Sequence, residues 1–472
     1  MQSTAHAFKD NARRAVGDAR LAKALGNMKA GFQTKRALAI AKLPEFEALR
    51  EEGRAIKNHT LAHLDLYLER FEAAVAAAGG HVHWARNAAE ARDIVLGLCR
   101  AAGARTVTKA KSMVAEEIGL NAHLEENGIE PVETDLGEYI IQLRREPPSH
   151  IIAPALHLTK EDVEASFRSA HTHLDPARVL GEAPALVAEA RQMLRARFLA
   201  ADVGISGANF LVAETGSAIV VTNEGNADLT MTLPRVHIAI ASLEKLVPTL
   251  EDAATLLRLL ARSATGQEFS AYTTVVTGPK RAGDPDGPEE FHVVLLDNGR
   301  TALLGTEFQE VLRCIRCGAC MNHCPVYAAI GGHAYGWVYP GPIGSVLTPA
   351  LIGVEAAGDL PNASTFCGRC EQVCPMKIPL PKMMRHWREM EYERGHQPRI
   401  VRHGLALWAF FAKRPRLYRR AAGAAMRLLG LFGRVHGRYE ALPLAGAWTR
   451  HRDFPAPQGA TFQQQWAARR KG

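Results

Sequence analysis

No stretch of this 472-residue sequence holds the ~18 continuous apolar residues of a membrane-spanning helix. Residues 1–43 are mixed, basic and helix-prone, and Asp10 and Asp18 interrupt them, so neither a secretory leader nor a transit peptide is predicted. A dinucleotide fingerprint is missing as well. Gly204-Ile-Ser-Gly-Ala lacks the G-x-G-x-x-G spacing and the acidic residue downstream, so no bound flavin or nicotinamide is expected. Cysteine is scarce outside two short runs: the exception, Cys99, ends an apolar run from Ile94 and reads as an inert core residue. The other seven crowd together, which argues against a disulfide framework and points to a reducing compartment. The expectation is a soluble, cytoplasmic protein with length for roughly two to four domains and a large core.

What the chain does have is a thiol pattern. Cys314-Ile-Arg-Cys317-Gly-Ala-Cys320-Met-Asn-His-Cys324-Pro325 follows the C-x2-C-x2-C-x3-C-P spacing of bacterial ferredoxins. Cys367-Gly-Arg-Cys370-Glu-Gln-Val-Cys374-Pro375 repeats it, with Ser364 where the first thiol would stand. Two-residue gaps let successive thiolates curl round one face of a cubane. Gly318 and Gly368 permit the close backbone approach, and the proline turns the chain away. With the fourth cysteine crossing over, one cluster takes Cys314, Cys317, Cys320 and Cys374, and the other takes Cys324, Cys367 and Cys370. Three thiolates suit a three-iron cluster, or a four-iron cubane whose last iron is open or held by Ser364, His323 or His333. Zinc is the alternative occupant, but a single tetrahedral ion does not need such a run.

Residues 1–67 read as a charged helical arm. Over 68–303, helices are predicted at 69–78, 88–101, 112–126, 186–200 and 250–262. Between them lie β-rich runs at 106–108, 139–143, 150–152, 218–222, 236–241, 272–277 and 292–296. Such alternation argues for an α/β domain with a largely parallel sheet. The turn-rich run 278–288 reads as a hairpin-like loop. Residues 304–398 form the cysteine-bearing domain, with 331–344 an irregular loop packed round the clusters, and 399–472 a basic helical tail.

Polar groups collect at strand ends in the α/β region. Glu214-Thr-Gly-Ser217 leads into one strand and Thr222-Asn-Glu-Gly-Asn226 leaves it. Lys109 and Lys111 stand between a strand and a helix start, where N–H groups and positive charge favour an anion such as a small carboxylate or a phosphate. Glu214, Lys109 and Lys111 are therefore the candidate catalytic residues. The plainer alternative is that the lysines are solvated and that Glu214 caps or pairs locally, as polar groups at strand ends often do.

Thr108-Lys-Ala-Lys-Ser-Met113, Glu133-Thr-Asp-Leu-Gly-Glu138, Pro148-Ser-His-Ile-Ile152 and Glu214–Asn226 resemble the LUD-type domain. Followed by the cysteine runs and Gly331-Gly-His-Ala-Tyr-Gly336, they resemble the lactate-utilisation protein B family over about residues 46–438. The resemblance implies an isomerase/CoA-transferase-like LUD domain, an α-helical ferredoxin-type domain with two iron–sulfur clusters, and a role in converting L-lactate to pyruvate. It also implies a cysteine-rich partner and a second LUD-type partner, and a second cluster with three thiolates by design.

No Asp or Glu occurs between Glu393 and Glu440. Arg399, Arg402, Lys413, Arg414, Arg416, Arg419, Arg420, Arg427, Arg434 and Arg438 alternate there with Leu407, Trp408, Phe410, Phe411, Leu428, Leu429, Leu431 and Phe432. The mixture suits a membrane face, near a quinone-linked acceptor, or an acidic partner. A helix pair packed on the protein's own core is the favoured reading, and nucleic acid is not expected. The leading expectation is an electron-transfer subunit of a lactate-oxidising complex. The alternatives are a self-sufficient enzyme using Glu214 and a non-catalytic iron–sulfur redox sensor.

Overall fold

Seven consecutive residues, Val236–Ser242, are buried on both faces, the pattern of a central strand in a parallel sheet covered on two sides. The computed structural model describes residues 3–433, 436–442, 445–449 and 452–470. The chain divides into two units, residues 1–390 and 391–472.

In the first unit the strands are β1 (His81–Ala85), β2 (Thr106–Lys109), β3 (Glu130–Glu133), β4 (Val203–Gly207), β5 (Phe210–Val212), β6 (Ser217–Thr222), β7 (Val236–Ser242), β8 (Leu246–Val247), β9 (Tyr272–Val276) and β10 (Glu290–Leu296). Six of them form an all-parallel sheet in the order β1-β10-β7-β4-β2-β3. A second, mixed sheet runs β8-β5-β6-β9. The run 278–288 is therefore not a hairpin: it carries the chain from β9 in one sheet to β10 in the other.

Side-chain caps set the helix starts. Asn87 accepts from the Glu90 N–H (3.0 Å) ahead of Ala88–Ala101, and Thr249 with Asp252 forms a capping box ahead of Leu250–Ala264. The helix expected over 112–126 is two, Met113–Ile118 and Leu120–Glu126, because Gly119 adopts a left-handed conformation (φ 67°) between them. Two expected strands are absent. Residues 139–143 belong to the helix Leu136–Arg144, whose first N–H groups are taken by Asp135, so a strong cap overrides the β-branched pair Ile140-Ile141. Residues 150–152 are irregular, because the His150 ring accepts from the Ile152 and Ala153 N–H groups (3.1 and 3.2 Å) and competes with any ladder.

The N-terminal helices Phe8–Val16, Ala19–Gly26 and Phe46–Ala62 do not stand free: Phe8, Leu25, Phe46 and Leu49 share one core with Cys317, Cys324, Cys370 and Cys374. Within 331–344, Tyr335, Trp337 and Tyr339 are buried in this core, and the last four residues already belong to the helix Gly341–Ile352.

In the second unit, helices Arg399–Ala412 and Pro415–Gly433 pair, and Gly423, Gly430 and Gly433 pack against residues 456–464. Arg399–Ala412 buries none of its residues. Trp408 is 62% and Phe432 76% exposed, so the apolar stripe is not the core face that the sequence favoured. Arg434 lies outside the described residues. Among the described residues no helix is long and apolar enough to cross a membrane.

Candidate functional site

The two cysteine runs fold as matching loops. Gly318 and Gly368 hold left-handed conformations (φ 71° and 77°) and each opens a single helical turn, so that the flanking thiols face inward. Cys314, Cys317, Cys320 and Cys374 line one small cavity with Ile151, Arg316 and Met376. Cys324, Cys367 and Cys370 act on one another electrostatically as a second group, and Cys320 is near enough to Cys370 to feel its charge. Cys317, Cys324, Cys370 and Cys374 are buried, whereas Cys367 is exposed. Cys99 is buried in the α/β core, and burial pushes its thiol up to about 12.

Backbone N–H groups surround these sulfurs. Arg316 donates to Cys314 (3.4 Å), and the backbone N–H groups of Ala319 beside Cys317, Val326 and Tyr327 beside Cys324, Arg369 beside Cys367, and Met376 and Ile378 beside Cys374 favour the thiolates. Burial raises Cys374 to about 11 and Cys370 to about 12, and neighbouring thiols add to the effect. A cage of buried thiols ringed by N–H donors repels its own thiolates unless a metal supplies positive charge. That donor set fits iron–sulfur clusters: all-sulfur ligation, N–H groups for the sulfurs and an apolar wall.

The fourth position of the three-thiol group has no ready donor among the sequence candidates. The Ser364 hydroxyl accepts from the Phe366 N–H (3.0 Å) and serves a turn. His323 donates its Nδ1–H to the Ala319 carbonyl (2.9 Å). His333 is engaged by the Pro147 carbonyl (2.8 Å) and packs on His157. Sequence reasoning missed Tyr335. Its side chain is fully buried, its hydroxyl has no hydrogen-bond partner of good geometry, and its strongest electrostatic neighbour is Cys324.

A second cavity, of about 210 Å³, opens at the C-terminal ends of β2, β4 and β7, where open α/β sheets place ligands. Its polar lining includes Lys111, Asp135, Asn209, Glu224, Lys245 and Arg316. Lys111 pairs with Asp135 (3.2 Å); burial opposes its charge, but Asp135 and Glu138 outweigh burial and raise it. Burial and the Asp135 charge together raise Glu224. Burial and Arg316 lower Lys245 to about 8. Arg316 and Ile151 belong to this cavity and to the four-thiol cavity alike.

Of the three candidate catalytic residues, the cavity takes one. Lys111 lines it, but the helix it precedes is six residues long and is capped by Ser112, so no anion cradle exists there. Lys109 is fully buried below, its ammonium 2.7 Å from Glu133 and 3.1 Å from Glu116. Glu214 is exposed, and its carboxylate accepts from the Leu250 N–H (3.2 Å), the local cap that the plainer reading described. Lys245 and Arg316 carried no signal in the sequence, since a lysine after a strand and an arginine inside C-x2-C are unremarkable alone.

Fold and thiol geometry together define an iron–sulfur protein built on an α/β domain. Comparison with known families agrees. The LUD domain family matches residues 68–296, the 4Fe-4S dicluster domain matches 310–378, and the lactate utilisation protein B C-terminal family matches 381–471. Lactate utilization protein B of Lysinibacillus sphaericus (strain C3-41) is 42% identical over 100% of this chain and 99% of its own length. That of Macrococcus caseolyticus (strain JCSC5402) is 46% identical over 89% of this chain and 88% of its own. The uncharacterized electron transport protein YkgF of Escherichia coli (strain K12) is 40% identical over 97% and 95%. The chain belongs to the lactate utilization protein B family.

Proposed function

We propose that this protein is the electron-carrying subunit of a system that oxidises L-lactate to pyruvate, with Cys314, Cys317, Cys320 and Cys374 holding one iron–sulfur cluster and Cys324, Cys367 and Cys370 a second. The observation that carries this reading is the sorting of seven thiols, from runs far apart in sequence, into neighbouring groups of four and three. When bound, such clusters accept and pass on single electrons. The protein's own residues bury Cys317 and Cys374 of the four-thiol group and half-bury Cys314 and Cys320, direct N–H groups to its sulfurs, and leave Cys367 at the surface of the other. That exposure suits exchange of electrons with a partner, in this reading a cysteine-rich or second LUD-type subunit. The protein works in the cytoplasm, its basic tail resting at the inner membrane face near a quinone-linked acceptor.

Anaerobic purification followed by iron and sulfide analysis and EPR tests the proposal. A brown protein whose absorbance bleaches with dithionite is expected. A three-iron signal in the oxidised form would assign the three-thiol site, and two interacting four-iron signals on reduction would assign it a non-cysteine ligand. A colourless, iron-free protein overturns the reading. The exposure of Cys367 also favours one second reading, a redox sensor, which requires cluster loss to change partner binding rather than electron flow. The position of Glu214 on the surface, capping a helix, speaks against a self-sufficient enzyme that uses it.

A further inference from the structure

The cavity of the α/β domain has no task in carrying electrons between thiol sites. We propose that it binds a small monocarboxylate with a neighbouring hydroxyl or carbonyl group, a 2-hydroxy or 2-oxo acid, its carboxylate toward Lys245 and Arg316. The inference deepens the function proposed above and rests on it only for the choice of acids to try.

Lys245 is the first ground. It is 7% exposed, lines the cavity, and makes no hydrogen bond or ion pair with any described residue. The carboxylate beside it in sequence, Glu244, is already spent: its two oxygens lie 3.0 Å from Arg316 and 2.9 Å from Arg300. Glu244 and Cys314 act on this ammonium, but burial and Arg316 outweigh them; a buried ammonium without an ion-pair partner is costly, and a ligand carboxylate supplies one. Arg316 stands on the same wall and adds to the positive field.

The rest of the lining sets the class of ligand. Asp135 and Glu224 are also present, and Lys111 already neutralises Asp135. Acidic groups there repel a multiply charged phosphate but accept a hydrogen bond from a hydroxyl. At about 210 Å³ the cavity falls below the ~300 Å³ where drug-sized pockets begin, a size that suits a molecule of a few heavy atoms. The location supplies the last ground. Arg316 and Ile151 form a wall common to this cavity and the four-thiol site, so a ligand seated here lies beside the first cluster position.

Isothermal titration of the iron-loaded full chain with L-lactate, pyruvate, lactamide and inorganic phosphate tests the proposal. One site for lactate or pyruvate is expected, with lactamide, which has the same shape without the charge, weaker by about tenfold or more. Lys245→Met should weaken lactate and pyruvate by a similar factor, with the iron content showing that the variant has folded. If that variant does not load iron, the lactate-to-lactamide ratio of the unaltered chain decides alone. Lactamide binding as tightly as lactate, phosphate binding more tightly than either acid, or no binding of either acid at millimolar concentration overturns the proposal. An iron-bearing, electron-passing chain that binds no carboxylate overturns this inference and leaves the proposed function standing. An iron-free chain that binds lactate does the reverse.

Discussion

Arg316, between the first two cysteines, donates from its guanidinium to Glu244 at the end of the central strand across 3.0 Å, both side chains buried. One carboxylate thereby ties the thiol loop to the α/β sheet, and it also lies 2.9 Å from Arg300. Burial works against its charge, but Arg300 and Arg316 outweigh burial and lower Glu244 to about 2.

Glu244→Gln leaves Arg316 with no carboxylate partner, while Arg300 keeps Glu117 (2.7 Å). Removing one member of a buried ion pair costs about 3–5 kcal/mol. Urea denaturation of the full chain at pH 7 should show a loss of that order. Because the folded value of Glu244 is depressed, its contribution is complete above the ordinary 4.5 and fades as pH falls towards about 2. The gap between the two proteins should therefore narrow only in acid, and a gap that is constant with pH would count against the ion pair as its source.

Tyr335→Phe removes a buried hydroxyl that acts on Cys324 without changing the packing. Hydrogen bonds to cluster sulfurs favour the reduced form and raise the potential. Loss of an electrostatic interaction between this hydroxyl and Cys324 worth about 1 kcal/mol should lower the one-electron potential of the three-thiol centre by about 40 mV. EPR-monitored redox titration reads this directly, and the four-thiol centre serves as the internal control.

His237 lies wholly buried in β7, its Nε2 2.8 Å from the Ser206 hydroxyl and its Nδ1 without a partner. Burial lowers it from 6.5 to about 3. In that window the unfolded chain binds a proton that the folded chain refuses, so this residue's contribution to stability falls as pH drops from about 6.5. The slope from a single histidine is up to about 1.4 kcal/mol per pH unit. His237→Gln should flatten the denaturation midpoint between pH 7 and pH 5; an unchanged slope would show that the ring does not titrate as described.

The second unit presents Trp408 and Phe432 to solvent on helices that carry no acidic residue. We expect co-sedimentation with vesicles rich in anionic lipid at low salt and release at high salt, at about 1 kcal/mol per basic residue near the surface. Trp408→Ala should weaken binding while leaving the salt dependence intact. Equal binding to neutral vesicles would rule out the electrostatic part.

Local chemistry was legible in the sequence. The spacing of Cys314, Cys317, Cys320 and Cys324 states a cluster loop, since two-residue gaps and a permissive glycine are properties of a few adjacent residues. Val236–Ser242 and Ala88–Ala101 were legible for the same reason: a continuous apolar run and a capped amphipathic one carry their structure within themselves. Where one local signal outweighed another, the sequence misled, as at 139–143, where the Asp135 cap imposes a helix on β-branched residues. The stripe around Trp408 shows the converse, for helical periodicity names an apolar face but not what covers it.

Only the tertiary structure decided the rest. It assigned Glu214 to a helix cap, drew Lys109 into a nest of carboxylates, and brought Lys245 and Arg316 to one wall beside the first thiol group. Arg316 and Glu244 are 72 residues apart, and no window along the chain contains both. Spacing determines which three thiols of a run can face one site, because that loop is built locally, while the crossing of Cys374 and Cys324 between runs needs the fold. A cavity exists only where distant strand ends and loops meet, so its charges and its size are properties of the fold.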